Sequence, residues 1–223
     1  MSYIRQFLTF LLNTTDKYVG NFGVSIIIVT ILIKIMLLPL TLKQDKSMKE
    51  MKKLQPELEK IKEKYKDNPQ EYQQKTAELY RESGVNPLGG CLPLLIQMPV
   101  FVALYWAFSG NAIPADAKFL WFTLKQPDRL FMFGNFAFNL LPILNTGVTY
   151  LQQKIMSGAT QGQEGNNQLQ SMMYTMPLMM LFLFYRMPSG VTLYYLVSGA
   201  LSLAQQYIIM KGRSDDGKDS IKS

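Results

Sequence analysis

The chain has no histidine among its 223 residues and a single cysteine, Cys91. These absences exclude histidine-based acid–base catalysis, zinc sites and internal disulfides. Cys91 lies among apolar residues, so we expect it to be a small, inert hydrophobic side chain. The sequence also lacks a Walker motif for nucleotide binding. We therefore expect a protein that is not an enzyme and that needs no metal and no cofactor.

Acidic residues are missing from every long apolar stretch of the chain. We predict that five stretches cross a membrane as helices, namely residues 22–42, 85–109, 130–152, 171–186 and 191–210. The fold class that we predict is an all-α membrane protein whose five transmembrane helices enclose a hydrophilic groove. Apolar side chains recur at helical spacing in residues 1–21, which predicts an amphipathic helix at the extracytoplasmic interface.

The charged residues concentrate in segment 43–84, which holds eleven Lys/Arg and nine Asp/Glu. Apolar positions keep helical spacing on both sides of a turn at residues 66–69, which predicts a water-exposed antiparallel helical hairpin. The hairpin is either a plain solvated linker or a docking or gating element. If it is cytoplasmic, that side of the membrane holds 16 basic residues and the other side 6. The positive-inside rule then places the N-terminus outside and the C-terminus inside, so the net charge of +7 reflects membrane orientation rather than nucleic-acid binding.

The remaining segments are connections. We expect an extracytoplasmic loop at 110–129, a flexible cytoplasmic loop at 153–170, a tight extracytoplasmic turn at 187–190 and a disordered cytoplasmic tail at 211–223.

Lys34 lies near the middle of the first apolar stretch, about 12–18 Å from either rim of the membrane by helical rise. A charge at this depth costs at least about 2.5–3.5 kcal/mol, and the five stretches contain no acidic partner. Polar residues recur at helical spacing in the first, third and fifth stretches. If these polar faces point inward, they line a hydrated cavity in which water can solvate the lysine. The groove residues that we predict are Thr30, Lys34, Gln97, Asn139, Thr146, Tyr195, Ser198 and Ser202.

A groove with one positive charge attracts anionic guests, which could be lipid, a small anion or an acidic peptide segment. Methionine-rich apolar faces adapt to irregular partners, and they favour an unfolded amphipathic polypeptide. A small-solute transporter would show an inverted repeat and paired titratable groups at mid-membrane, and the sequence shows neither. An intramembrane hydrolase with Lys34 as base needs a nearby nucleophile, but Ser25 lies on another face of the helix.

Four strings carry a resemblance to a known family: YVGNFGVSIIIVTILIKIMLLPLT at 18–41, MKKLQPELEKIKEKY at 51–65, GVNPLGGCLPLLIQMPVFVALY at 84–105 and MPSGVTLYYLVS at 187–198. In order and spacing, residues 18–210 resemble the YidC/Oxa/Alb membrane-protein insertases, above all the bacterial members. The resemblance implies a five-helix core, a cytoplasmic hairpin and a groove that is open to the cytoplasm and to lipid but closed outside. Insertases of this family usually carry arginine at the position of Lys34. Lysine keeps the positive charge but lacks the planar guanidinium group, which can bind a carboxylate through two hydrogen bonds.

The resemblance also implies partners and contact residues. Met98, Phe101 and Tyr195 fall where the family contacts the arriving substrate helix. The substrates would be nascent membrane proteins, and the further partners the ribosome, the signal recognition particle receptor, the Sec translocon and membrane lipids. The chain would lie in the plasma or inner membrane, insert and help to fold its substrates alone or beside the translocon, and hydrolyse no nucleotide.

Overall fold

The computed structural model describes residues 2–85, 92–110, 113–133, 136–157 and 167–219. The prediction for Cys91, residues 158–166 of the predicted loop at 153–170 and the last residues of the tail lie outside these ranges. The two described ends of that loop, 153–157 and 167–170, are helical. Most of the described chain is helical, which confirms the predicted helical class in its main feature.

Eight described helices follow one another along the chain. They are α1 (Ser2–Val19), α2 (Phe22–Lys53), α3 (Gln55–Lys64), α4 (Pro69–Glu82), α5 (Leu92–Ser109), α6 (Leu140–Ser157), α7 (Asn167–Tyr185) and α8 (Ser189–Asp219). Two small antiparallel hairpins separate α5 from α6. The first pairs β1 (Lys118–Phe119) with β2 (Phe122–Thr123), and the second pairs β3 (Phe131–Phe133) with β4 (Phe136–Phe138).

The third apolar stretch becomes helical later than the sequence predicts. We predicted a helix from residue 130, but β3 occupies Phe131–Phe133, β4 occupies Phe136–Phe138, and α6 begins only at Leu140. This segment is rich in phenylalanine, and aromatic residues favour strands. A short apolar run is compatible with either structure, so its composition could not decide between them.

Helix α2 runs through the boundary predicted after Leu42 and ends at Lys53. The break at Leu54 has a local cause, because Pro56 in the first turn of α3 has no backbone N–H to continue the helix. Residues 43–53 therefore extend α2 instead of forming the first arm of the hairpin. Helices α3 and α4 contact each other as the two arms. Their connection matches the predicted turn, since the Asn68 side chain accepts a hydrogen bond from the Glu71 backbone N–H, 3.3 Å away, and Pro69 opens α4.

One described helix, Phe22–Met51, is long enough to cross a membrane and contains an apolar 18-residue stretch with a mean hydropathy of 2.5. Ile96–Ser109 is apolar but shorter. The other membrane spans therefore remain predictions. Helix α8 continues past Met210 to Asp219, so the prediction of a disordered tail is wrong for residues 211–219. Once a helix is nucleated, each further residue gains a backbone hydrogen bond, and this favours its extension.

The chain forms two compact units. The first consists of Met1–Ile35 and Phe101–Ser223, and the second of Met36–Val100. In the first unit, α6 packs against both α7 and α8. The fully buried apolar side chains of this unit include Leu104, Phe108, Leu124, Phe184 and Val191. In the second unit, a cavity of about 430 Å³ lies along α4, lined by Tyr72, Thr76, Tyr80 and Val85 among others.

Candidate functional site

Lys34 meets a residue of the fifth apolar stretch inside the first unit. Its ammonium Nζ donates a hydrogen bond to the hydroxyl Oγ of Ser202, 2.5 Å away, although the two residues are 168 positions apart in the chain. Lys34 and Ser202 are both half-buried. Two residues that the sequence assigns to one groove are therefore in contact, and their contact joins α2 to α8.

Tyr195 lies two helical turns before Ser202, among aromatic rings from two other helices. Its ring centre is 5.9 Å from that of Phe101 on α5 and 4.9 Å from that of Phe184 on α7. Phe101 and Tyr195 are half-buried, whereas Phe184 is fully buried. Ser198, between Tyr195 and Ser202, is buried. Two of the three predicted substrate contacts, Phe101 and Tyr195, thus form a single aromatic pair between α5 and α8.

Two predicted groove threonines use their hydroxyls within their own helices. Thr30 is fully buried, and its Oγ1 donates to the Ile26 carbonyl at 2.6 Å. Thr146 is half-buried, and its Oγ1 donates to the Pro142 carbonyl at 2.8 Å. A hydroxyl bonded to the preceding turn of its own helix needs no water as a partner.

Asn139 does not lie where the sequence predicts it, on the same helical face as Thr146. It precedes α6, so the helical face that linked it to Thr146 in the prediction does not reach it. Asn139 is buried, and its Nδ2 donates to the Tyr185 carbonyl at 2.9 Å, at the end of α7. This hydrogen bond therefore joins the residue just before α6 to the end of α7. Gln97 and Met98 belong to the second unit, where Gln97 is half-buried and Met98 is 51% exposed.

Residues 113–128, which we call the 113–128 segment, bind the ends of several helices. Lys125 Nζ donates to the Gly110 carbonyl at 2.7 Å, just after α5. Asp128 is buried, and its carboxylate accepts bonds from the Trp121 indole N–H and from the Leu141 backbone N–H, both at 2.7 Å. Lys125 thus satisfies a carbonyl at a helix C-terminus, and Asp128 satisfies an N–H at a helix N-terminus. The helix dipole favours this arrangement, because it attracts a positive charge at the C-terminus and a negative charge at the N-terminus.

The same segment also holds the start of α8. The carbonyl of Gln126 accepts bonds from the Ser189 backbone N–H at 2.8 Å and from its hydroxyl at 2.6 Å. The Leu124 carbonyl accepts from the Gly190 N–H at 2.9 Å. A Cβ on Gly190 would lie 2.3 Å from the ring of Phe108, so only glycine permits this approach of α8 to α5. The sequence predicts only a loop here, because hydrogen bonds between distant segments leave no local pattern.

The charged contact lies far from this packed end. Gly23 faces Phe119 of the 113–128 segment so closely that a Cβ would come within 2.1 Å of the ring. Lys34 follows Gly23 by eleven residues, or about 16 Å of helical rise, and Ser202 follows Gly190 by twelve, or about 18 Å. The first unit therefore has an apolar, hydrogen-bonded end and, well separated from it, a contact between an ammonium and a hydroxyl.

Comparison with known proteins identifies the family. The family model described as 60Kd inner membrane protein matches residues 14–216. A relative from Fusobacterium nucleatum, "Membrane protein insertase YidC", is 60% identical over 215 residues, which are 95% of this chain and 98% of the relative. The chain belongs to the YidC/Oxa/Alb family. A second relative with the same name, from Prosthecochloris aestuarii, is 42% identical over 208 residues, and these are 90% of this chain but only 35% of that longer relative.

A solved structure of the YidC family shares the fold. That structure, "Active YidC insertase crystal structure with the first transmembrane domain resolved", matches with a TM-score of 0.69 at 31% identity. The match covers 92% of this chain and 46% of that chain. These findings confirm the family resemblance that the four sequence strings carry, and they confirm the mainly helical architecture.

Proposed function

We propose that this chain is a membrane-protein insertase that uses the Lys34 ammonium to attract polar, acidic segments of its substrates into the membrane. The observation that carries the proposal is the contact between Lys34 and Ser202, which holds a cation on the one described helix that is long and apolar enough to span a bilayer. The names of the YidC relatives support the insertase activity. In the groove that we propose around this contact, Thr146 remains a member of the wall.

The first step brings the substrate to the cytoplasmic side. The α3–α4 hairpin there meets the nascent membrane protein or a partner that delivers it, such as the ribosome, the signal recognition particle receptor or the Sec translocon. A hydrophilic segment then enters the groove, where partial hydration lowers the cost of moving polar backbone into the membrane. An acidic side chain in this segment gains a charge-assisted hydrogen bond from Lys34.

The apolar segment of the substrate takes a different path. It slides along α5 and α8, past the half-exposed Met98 and the Phe101–Tyr195 pair, and leaves into lipid. Burial of its apolar surface drives this step, without nucleotide hydrolysis. A membrane potential helps acidic residues outward by roughly 2.3 kcal/mol per charge for each 100 mV.

The topology follows the sequence prediction: five spans in the cell membrane, the N-terminus outside and the C-terminus inside. Helix α1 lies at the outer interface, since Tyr3, Phe7 and Phe10 are exposed on one face while Leu8 and Leu12 are buried on another. The 113–128 segment closes the extracytoplasmic end of the groove. Its hydrogen bonds to the ends of three helices support this role.

Reconstitution of the purified chain tests the activity. Substrates with one apolar segment and a short acidic tail are synthesised in the presence of vesicles, and the protease-protected fragment is measured. We expect clearly more protected fragment with the protein than in protein-free vesicles of the same lipid. Equal amounts would overturn the insertase proposal. Passage of a small anion through the same vesicles, without insertion, would instead support a transporter.

A further inference from the structure

Ser202, one partner of Lys34, is held in place by the packing of its helix. Ser202 lies on α8, whose start is fixed by the hydrogen bonds of Ser189 and Gly190 to the 113–128 segment. Three residues before Ser202, the Gly199 carbonyl accepts a bond from Gln152 Nε2 of α6, at 2.8 Å. A Cβ on Gly199 would lie 2.9 Å from the Val148 side chain, so α6 and α8 are in close contact there. The backbone that carries the Ser202 hydroxyl is therefore fixed from two sides.

Lys34, by contrast, has a long and flexible four-carbon side chain, which loses rotamer entropy when it is held in one position. Serine has a single side-chain torsion before its hydroxyl, so Oγ follows the backbone closely. A bond between a flexible ammonium and a rigid hydroxyl fixes the position of the ammonium. We propose that Ser202 is a positioning residue for Lys34, and that it sets how strongly the protein prefers substrates with acidic tails. This inference rests on the proposed insertase function.

The chemistry of the partner matters. A carboxylate at position 202 would also hold the ammonium, but it would cancel the charge that attracts the substrate. A hydroxyl accepts one ammonium proton and adds no negative charge, and an ammonium has three protons to donate. An arriving carboxylate can therefore bind an ammonium that is already in place, and a group that is ordered beforehand loses less entropy on binding. Neutral tails gain little from the same arrangement.

The test compares two substrates that share one apolar segment and differ only in an acidic or a neutral tail, inserted into vesicles that contain the full chain. We expect Ser202→Ala to lower the ratio of acidic to neutral insertion by about 3- to 10-fold, as for the loss of one hydrogen bond. Ser202→Thr keeps the hydroxyl and should retain most of the ratio. In a Lys34→Met background, Ser202→Ala should leave the ratio unchanged.

Thr149→Val is the matched control. It removes a hydroxyl from α6 that bonds the Asn145 carbonyl of its own helix, 2.9 Å away, so the ratio should not change. An equal loss of both substrates in Ser202→Ala would show a purely structural role and overturn the inference, as would an unchanged ratio. If Lys34→Met alters the ratio while Ser202→Ala does not, the positioning role fails and the insertase function stands. If the wild-type chain inserts neither substrate, the proposed function itself fails.

Discussion

The carboxylate of Asp128 accepts a hydrogen bond from the backbone N–H of Leu141, 2.7 Å away, in the first turn of α6. Its second oxygen accepts from the Trp121 indole at the same distance. Asp128 is only 2% exposed. One buried acid therefore joins the loop between α5 and α6 to the helix that follows it, and the packed end of the first unit depends on its two bonds.

Asp128→Ala should destabilise the protein by about 2–4 kcal/mol, because it removes a helix cap and leaves the buried Leu141 N–H without its acceptor. Asp128→Asn keeps the shape and one acceptor, so we expect a smaller loss. Thermal unfolding in detergent, followed through tryptophan fluorescence, measures the difference. The control is Asp116→Asn, since Asp116 is an exposed acid in the same segment. Equal midpoints for Asp128→Ala and Asp116→Asn would contradict the role of Asp128.

Gly190 is the second residue on which the packed end of the first unit depends. Its Cα faces the Phe108 ring, which is completely buried, so the methyl group of Gly190→Ala has no room. We expect a loss of about 1–3 kcal/mol from overpacking. Gly147→Ala on α6 is the matched control, since no atom lies within 4 Å of a Cβ there and alanine favours helices. The account would be wrong if both variants unfolded at the wild-type temperature or above.

The path of the apolar substrate segment is open to crosslinking. A photoreactive amino acid at Phe101 or Tyr195 should form adducts with a stalled nascent membrane protein, because the two rings form one pair between α5 and α8. The control position is Phe182 on α7, which is 73% exposed and which we expect to face lipid. Adducts are detected by gel shift of the labelled substrate. Equal yields from all three positions would argue against a defined path.

The sequence predicts the polar site better than the packed end that supports the fold. Helical spacing assigns Lys34 and Ser202 to inward-facing polar stripes of their own helices, and in the structure the two side chains are in contact. Spacing could not show that they form one pair, because a contact across 168 positions depends on tertiary packing. The roles of Asp128 and Asn139 were missed for the same reason, since each bonds a backbone group far along the chain.

The central claim is that the charge of Lys34 attracts acidic segments of the substrate. Its most direct test is the insertion of a substrate with an acidic tail by the wild type, Lys34→Arg and Lys34→Glu, at equal protein levels in vesicles. We predict that Lys34→Arg inserts nearly as well as the wild type, because the positive charge is kept. Lys34→Glu should insert at least about tenfold less, because like charges repel. Equal insertion by the wild type and Lys34→Glu would contradict the account.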